Sequence, residues 1–302
     1  MRAATKSLCA LLIGVLLASC GTAPSTVAPG LDVQADVVSG VQRDETAAAL
    51  LPEPVRRAGT LRIGRSISGS PPASFYLDDN STAVGLDIDI TAAAARTLGL
   101  RVAAQDAAFE AILPALRSGK FDAGTGNFGV TEQRKRTIDF ATYIRDGQGF
   151  AVRRGAEPPP ITDVTALCGR TVGTAQGTTF EATLNAQRHR CTGIGRPAYQ
   201  VQVYSESSAM YSALTQGRVD AVMSTTNGLR YAAAQQPAIR FSNEFRRLDV
   251  GFALPAGSPL APALQAAVHK LIKTGEYQRI LRKWGVQPSA IGESQISPPE
   301  IR

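Results

Sequence analysis

The sequence predicts an α/β fold of two lobes, each built on a largely parallel sheet, with two strands joining the lobes as a hinge. Three observations support this prediction. Strand and helix patterns alternate along the chain, one helix–strand unit occurs twice, and two apolar strand patterns, residues 149–155 and 249–257, leave the first half and return to it. Alternating strands and helices are typical of parallel sheets, and 302 residues suffice for two domain-sized units.

The repeated unit has the pattern ALxxGxxDA, at residues 115–123 and again at residues 213–221. Each copy predicts an amphipathic helix that ends at the glycine, followed by a short strand that begins at Asp-Ala. Strand patterns at residues 60–67 and 170–176 open the two halves. Because ligands of open α/β sheets bind beyond the carboxyl ends of the strands, we expect the facing loops of the lobes to line one cleft.

The domain boundaries follow from this organisation. Lobe one is predicted to comprise residues 53–152 together with residues 250–302, and lobe two residues 153–249. The apolar spacing after residue 258 predicts a helix, interrupted at Gly275, that packs back on lobe one. Trp284, the only tryptophan, is expected to be a core residue of that contact.

The N-terminus has the features of an export signal. In residues 1–19 two basic residues precede an apolar run that is too short to span a membrane comfortably. The run ends in LASC, which resembles a bacterial lipobox with Cys20 as the lipidated residue; a plain signal peptide with a chance cysteine is the alternative. Residues 20–52, rich in small and polar residues, are predicted to be a flexible tether. We therefore expect an extracytoplasmic protein, anchored by lipid on the periplasmic or cell-surface side of the membrane.

Cysteine use agrees with export. Cys168 and Cys191 remain after the signal and the lipidated residue are set aside, and we predict that they form a disulfide. His189 is the only imidazole near them, so no metal site is predicted. The net charge is +7, but the basic residues do not form a block of like charge. The charge pattern therefore gives no indication of nucleic-acid binding.

Enzymatic motifs are weak or missing. The run GTGNFG, residues 124–129, fits a dinucleotide-binding pattern with Asp146 about 20 residues later, but the helix that follows is too short and too charged to pack on a sheet. The sequence has no GxSxG, HExxH or phosphate-binding loop motif. We therefore expect a protein that is not an enzyme and that needs no cofactor.

Six segments occur in an order that resembles the bacterial extracellular solute-binding proteins of the polar amino-acid ABC transporter type. They are GLDIDI (85–90), ILPALRSGKFDA (112–123), TEQRKRTIDF (131–140), LCGRTVGTAQGTTFE (167–181), ALTQGRVDAV (213–222) and KTGEYQRILRKWG (273–285). The resemblance covers about residues 54–286. It implies a periplasmic-binding-protein-like fold, a monomer that binds an amino acid or related small carboxylate between its lobes, and delivery of that solute to an ABC permease.

Arg134 is the first candidate ligand-binding residue. Thr131 is placed to cap a short helix that begins at residue 132, and the planar guanidinium of Arg134 matches a carboxylate. The resemblance implies that Arg134 binds the α-carboxylate of the ligand, whereas a surface arginine is the alternative. Asn127 and Gly129, in the same turn, complete this candidate set.

Other candidates lie in both lobes. Thr178 and Thr179 begin a helix after Gly177, and the resemblance implies that this turn binds the same carboxylate; simple helix capping is the alternative. The resemblance implies that Phe109 stacks on the ligand, although it can equally be a core residue. Ser70 replaces an aromatic residue of many relatives, which implies a roomier or more polar pocket.

Two departures from the family pattern bear on the ligand. Thr225 stands where many relatives carry an aspartate for the α-ammonium group, and Gly129 stands where many carry a hydroxyl for the carboxylate. We hypothesise a ligand whose amine is substituted, displaced or absent, unless Asp220 or Glu206 supplies the missing charge. Two other functions stay open: a periplasmic dehydratase-like enzyme on the same fold, with Glu132 as its acid–base group, and a sensor ectodomain.

Overall fold

The computed structural model describes residues 31–67, 71–156 and 158–301. The predicted signal peptide, the predicted lipidation at Cys20 and the candidate Ser70 lie outside these ranges. Within them the chain forms the predicted two-lobed α/β structure around one continuous eight-stranded sheet.

The N-terminal segment differs from the tether predicted for residues 20–52. From residue 31 onward it packs on lobe one, where Val33, Val41 and Leu51 are buried in the same core as the first strand. Its short helix α1 (Glu45–Ala48) begins at Asp44, which also forms an ion pair with Lys270 at 2.9 Å. The apolar residues of this segment are too widely spaced to show a helical or strand period, and only the lobe they cover reveals that they are buried.

Lobe one contains the first half of the elements. They are α2 (Glu53–Ala58), β1 (Thr60–Arg65), β2 (Phe75–Tyr76), β3 (Ala83–Val84), α3 (Leu86–Thr97), β4 (Arg101–Asp106), α4 (Phe109–Arg117), β5 (Ala123–Thr125) and α5 (Glu132–Lys135). Strand β1 lies between β4 and β5 and pairs in parallel with both. The small antiparallel pair β2–β3 stands outside the main sheet.

Strand β6 (Ile138–Arg153) leads into lobe two. The following elements are β7 (Thr171–Ala175), α6 (Thr179–Gln187), α7 (His189–Thr192), β8 (Gln200–Tyr204), α8 (Ser207–Thr215), β9 (Ala221–Thr225) and α9 (Thr226–Gln235). Strand β7 pairs in parallel with β8 and β9, as β1 does with its neighbours. The predicted disulfide between Cys168 and Cys191 is confirmed and joins the start of this lobe to α7.

The hinge is made by β6 and the returning strand β10 (Ile239–Pro255), which pair antiparallel along almost their whole lengths. Residues 148–152 of β6 already pair with β9 of lobe two, whereas Ala253 of β10 pairs with β5 of lobe one. The lobes therefore meet near residues 146–148, several residues before the predicted boundary at 152. At this crossing, residues 145–149, the strand is polar and glycine-rich, and the prediction placed the boundary at the end of the apolar residues that follow.

The two copies of the repeat have the predicted structure. Helix α4 and helix α8 are each followed by a glycine in the left-handed region, Gly119 (φ 75°) and Gly217 (φ 73°). The carboxylate of Asp122 accepts a hydrogen bond from the backbone N–H of Arg62, and that of Asp220 accepts one from Thr171, both at 2.8 Å. Each aspartate thus fixes the start of its strand against the neighbouring parallel strand.

The C-terminal region packs on lobe one as predicted. Helix α10 (Ala261–Thr274) ends at Gly275 (φ 86°), and α11 (Glu276–Lys283) follows. The Trp284 side chain is buried, and its indole N–H donates to Asp89 Oδ2 at 2.8 Å, which confirms its role as a core residue. Residues 294–301 then run along β6, where Thr142 and Gln295 exchange hydrogen bonds.

Candidate functional site

A cavity lies between the lobes and is lined by residues of both. Most of its polar lining consists of hydroxyl groups, from Ser66, Ser74, Thr178, Thr179, Ser205, Ser207, Ser224 and Thr225. Arg134 and Glu110 are the ionisable residues among those that line it. Such a lining suits a small polar solute that carries an anionic group for the arginine.

Arg134 is held in the cavity by its own turn. The Thr131 hydroxyl accepts a hydrogen bond from the Arg134 N–H at 3.2 Å, which confirms the predicted N-cap of α5. The guanidinium donates to the carbonyl of Gly129 in lobe one at 3.1 Å and to that of Gly177 in lobe two at 3.5 Å. Arg134 therefore contacts both lobes where they face each other.

The charge of Arg134 has no anionic partner among the residues that the structure describes. Burial is the cause that lowers the pKa of its guanidinium to about 10. The guanidinium lies 5.6 Å from the ring centre of Phe109 and 5.7 Å from that of Phe128, so aromatic faces replace part of its hydration. A partly desolvated cation without a carboxylate favours binding of an anion.

Phe109 is partly a core residue and partly a lining residue of the cavity. Its ring stacks on Phe128 with centroids 4.6 Å apart and an interplanar angle of 21°, and it packs against the apolar cluster under α4. It also lines the cavity and remains partly exposed there. One part of the side chain is thus a core contact, and the rest is available to a ligand.

The two threonines of the lobe-two turn have different roles: Thr178 caps a helix, and Thr179 lines the cavity. The Thr178 hydroxyl donates to Ala175 O at 2.7 Å and accepts from Glu181 N at 3.3 Å, so it is the N-cap of α6. Thr179 is the first residue of that helix and lines the cavity, and no residue of the described ranges engages its hydroxyl. Of the two side chains, Thr179 is the one with an available hydroxyl for a ligand.

Asn127 forms the floor of the cavity. It has a left-handed backbone (φ 58°), and its N–H donates to Asp87 Oδ2 at 2.8 Å. Its side-chain Nδ2 donates to Asp146 Oδ2 at 2.9 Å, while its Oδ1 is buried and has no hydrogen-bond partner in the part of the chain that the structure describes. The floor therefore presents a buried acceptor backed by a carboxylate.

Thr225 and Gly129 complete the candidate set. The Thr225 hydroxyl accepts from Gly228 N at 3.0 Å and caps α9, and the buried residue lines the cavity beside Asn127. Gly129 positions Arg134 through its carbonyl, and a Cβ at this residue would lie 2.9 Å from Leu248 Cδ1. A hydroxyl-bearing residue at Gly129 would thus require a shift of Leu248.

Neither acid that was considered as a replacement for the missing aspartate lies in the cavity. Asp220 is at the opposite end of β9, where it accepts from Thr171 N. Glu206 is exposed at the start of α8 and is not among the lining residues. Glu132, the candidate acid–base group, also lies outside the lining, and its carboxylate accepts from Lys135 and from Glu300 N.

Two buried acids behind Asn127 were not recognised as site residues from the sequence. Asp87 and Asp146 are 0% and 4% exposed, and burial raises the pKa of both carboxyl groups, that of Asp87 to about 6. In the sequence, Asp146 stands out only as part of the dinucleotide-binding pattern that begins at residue 124. The sequence signal that points to it is weak: an acid that directly precedes a glycine in a short polar stretch between two mainly apolar parts of one strand.

No group of three or more histidine, cysteine, aspartate or glutamate residues in the described ranges could hold a metal ion. None of the described helices combines the length and apolar character that crossing a membrane requires.

The family model of the bacterial extracellular solute-binding proteins, family 3, matches residues 61–287. This chain belongs to that family. The arginine-binding protein ArgT of Corynebacterium glutamicum is 29% identical over 252 residues, which cover 82% of each chain. A solved ancestral arginine-binding protein bound to arginine is 31% identical, with a TM-score of 0.68, over 75% of this chain and 98% of that one.

A third similar protein bears on the enzymatic alternative. The ancestral amino acid-binding protein AncCDT-1, a precursor of cyclohexadienyl dehydratase, is 26% identical with a TM-score of 0.67. The similarity covers 78% of this chain and 99% of that chain. That protein is named as a binding protein that preceded an enzyme, and the other two relatives are also named as binding proteins.

Proposed function

We propose that this protein is the solute-binding subunit of an ABC importer and that it binds an amino acid, with the ligand's α-carboxylate on Arg134. The observation that carries the proposal is the Arg134 guanidinium, which lines the cavity and has no carboxylate partner among the described residues. The relatives named as arginine-binding proteins support the amino-acid class. In this function the protein works as a monomer, without a cofactor and without catalysis.

Closure of the lobes follows from the position of the ligand. A carboxylate on Arg134 also reaches the turn at Gly177 in lobe two, whose carbonyl the guanidinium already contacts. Because the ligand then contacts both lobes, it favours the closed arrangement through its differential affinity for that state. The closed form is the one that we expect the permease to recognise.

A ligand screen tests the proposal. The purified protein is heated with each of the standard L-amino acids and with short carboxylates, since a ligand at 100 times its Kd adds about 2.7 kcal/mol to the stability of the native state. We expect at least one amino acid to raise the melting temperature and calorimetry to give a Kd for it. Turnover of a prephenate-type substrate, with no amino acid bound, would instead establish the dehydratase-like alternative.

We also propose that Cys20 carries the lipid that anchors the protein. The proposal rests on the LASC motif at the end of the apolar leader. Cys20→Ala should prevent labelling with a fatty-acid probe and release or mislocalise the protein, whereas Cys9→Ala, within the same leader, should change neither. Unchanged membrane fractionation of Cys20→Ala would contradict the anchor.

A further inference from the structure

We infer that Asp146, together with the side-chain oxygen of Asn127, binds the α-ammonium group of the ligand in place of the aspartate that Thr225 replaces. The inference rests on the proposed function, because it concerns the second charged group of the same amino acid. It makes Asp146 a specificity-determining residue that distinguishes α-amino acids from carboxylates without an amine.

Asp146 lies next to the ligand cavity. A smaller cavity lined by Asp146 shares Asn127, Thr179 and Thr225 with the larger one. Strand β6 places Asp146 opposite Leu248 of β10, at the point where the lobes meet. The carboxylate is therefore one side chain away from the groups that face the ligand.

The hydrogen bonds of Asp146 leave room for a donor. Its Oδ1 accepts from Gly147 N at 2.7 Å and from Asn227 N at 3.2 Å, whereas its Oδ2 accepts from Asn127 Nδ2 at 2.9 Å. Each carboxylate oxygen can accept two hydrogen bonds, so Oδ2 has one position left. The Oδ1 of Asn127, which has no hydrogen-bond partner within the described ranges, belongs to the same amide group that contacts Asp146. An ammonium group, with its N–H donors, would satisfy both acceptors.

The local charge also favours a cation. Neither Asp146 nor Asp87 forms an ion pair with any residue that the structure describes, although both are buried, and burial raises the pKa of both. The nearest arginine along the strand, Arg145, is paired with Asp249 at 2.9 Å. A buried carboxylate without a cation is unfavourable, and a ligand ammonium would relieve that cost.

The groups proposed for the two charges of the ligand are close together along the chain. The Arg134 guanidinium donates to Gly129 O, and Gly129 is two residues from Asn127 in the same turn. The carboxylate and ammonium of an α-amino acid are attached to one carbon, so their binding groups must be close neighbours. The segment from residue 127 to residue 134 therefore carries both the cation for one group and an acceptor for the other.

The test compares amino acids with their counterparts that lack the amine. The pairs are L-arginine with 5-guanidinopentanoate, L-glutamine with glutaramate, and L-phenylalanine with 3-phenylpropanoate, each measured by calorimetry with the full protein. We expect the wild type to prefer the amino acid of at least one pair by about 100-fold or more, because a site built for a donor rejects an analogue without it. Asp146→Asn should reduce that preference to about tenfold or less.

Three further variants complete the design. Asn127→Gly, which tolerates the left-handed backbone, should also reduce the preference and provides a second test if Asp146→Asn does not fold. Glu206→Gln, which removes an exposed acid outside the cavity, should leave the preference unchanged. Glu110→Gln tests the carboxylate that lines the ligand cavity itself as the alternative partner of the ammonium group, and the inference predicts that the preference is retained.

Each contrary result identifies what has failed. An undiminished preference in folded Asp146→Asn or Asn127→Gly, or a preference lost in Glu110→Gln alone, would overturn the inference. Wild-type protein that binds the analogues as tightly as the amino acids would overturn it while leaving the carboxylate site intact. If the wild type bound no member of any pair and none of the standard amino acids in the ligand screen, the proposed function itself would be contradicted, and the inference with it.

Discussion

Replacement of Arg134 by methionine distinguishes a role of this arginine in ligand affinity from a role in the stability of the fold. Methionine keeps an apolar stem against Phe109 and Phe128 but removes the charge that the cavity holds without a carboxylate. If Arg134 serves the ligand, affinity should fall steeply while the unliganded fold is almost unaffected. A structural arginine would show the opposite pattern.

The expected stability change is small because opposing contributions nearly cancel. Burial lowers the pKa of Arg134 to about 10, which corresponds to a desolvation cost of roughly 1–3 kcal/mol once the partial exposure of the side chain is allowed for. The substitution removes this cost, but it also removes two carbonyl hydrogen bonds and two ring contacts worth about 0.5–1 kcal/mol each. We expect the free energy of unfolding of the unliganded variant to lie within about 1 kcal/mol of wild type.

The expected change in affinity is much larger. Removing one member of a buried charge pair costs about 3–5 kcal/mol, which corresponds to a rise in Kd of roughly 10²- to 10³-fold or more. Calorimetry with L-arginine, or with whichever amino acid the screen identifies, measures the affinity, and urea unfolding without ligand measures the stability. Arg136→Met, at an exposed arginine two residues later, is the matched control and should change neither quantity.

Either of two results would refute this reasoning. A Kd of Arg134→Met within threefold of wild type would show that the guanidinium does not bind the ligand. A loss of more than about 2 kcal/mol of unfolding free energy would show that the arginine mainly supports the fold, since typical contacts of this kind are worth less.

Three further predictions concern stability. Replacing Cys168 and Cys191 together by serine should lower the free energy of unfolding in urea by about 3 kcal/mol, because the bond closes a loop with a sequence separation of 23 residues; an unchanged midpoint would contradict this. Burial raises the pKa of Asp87 to about 6, so as the pH falls the folded protein takes up this proton at a higher pH than the unfolded chain does. Acidification from pH 7 to 4 should therefore stabilise wild type relative to Asp87→Asn by up to about 3 kcal/mol. Parallel pH profiles of the two proteins would exclude that effect. Trp284→Ala should lower the unfolding free energy by about 3–5 kcal/mol, measured by thermal unfolding, and a smaller loss than Tyr76→Ala at an exposed aromatic would contradict its core role.

The sequence by itself determined the features that depend on neighbouring residues or on repetition. The ALxxGxxDA repeat predicted two helix–strand units, and both glycines have the left-handed backbone that ends a helix. Thr131 predicted the cap that orients Arg134, and the two remaining cysteines predicted the disulfide. These signals are readable because capping and helix termination act over a few residues, and because oxidising compartments favour pairing of isolated cysteines.

Only the tertiary structure decided the features that depend on which distant segments meet. Val33 and Val41 are buried because lobe one covers them, although their own segment has the composition of a tether. Asp146 joins the floor of the cavity because β6 crosses between the lobes there, next to a turn that precedes it by 19 residues in the chain. Composition and periodicity report local preference, whereas burial and the partners of a buried charge are set by packing between strands far apart in sequence.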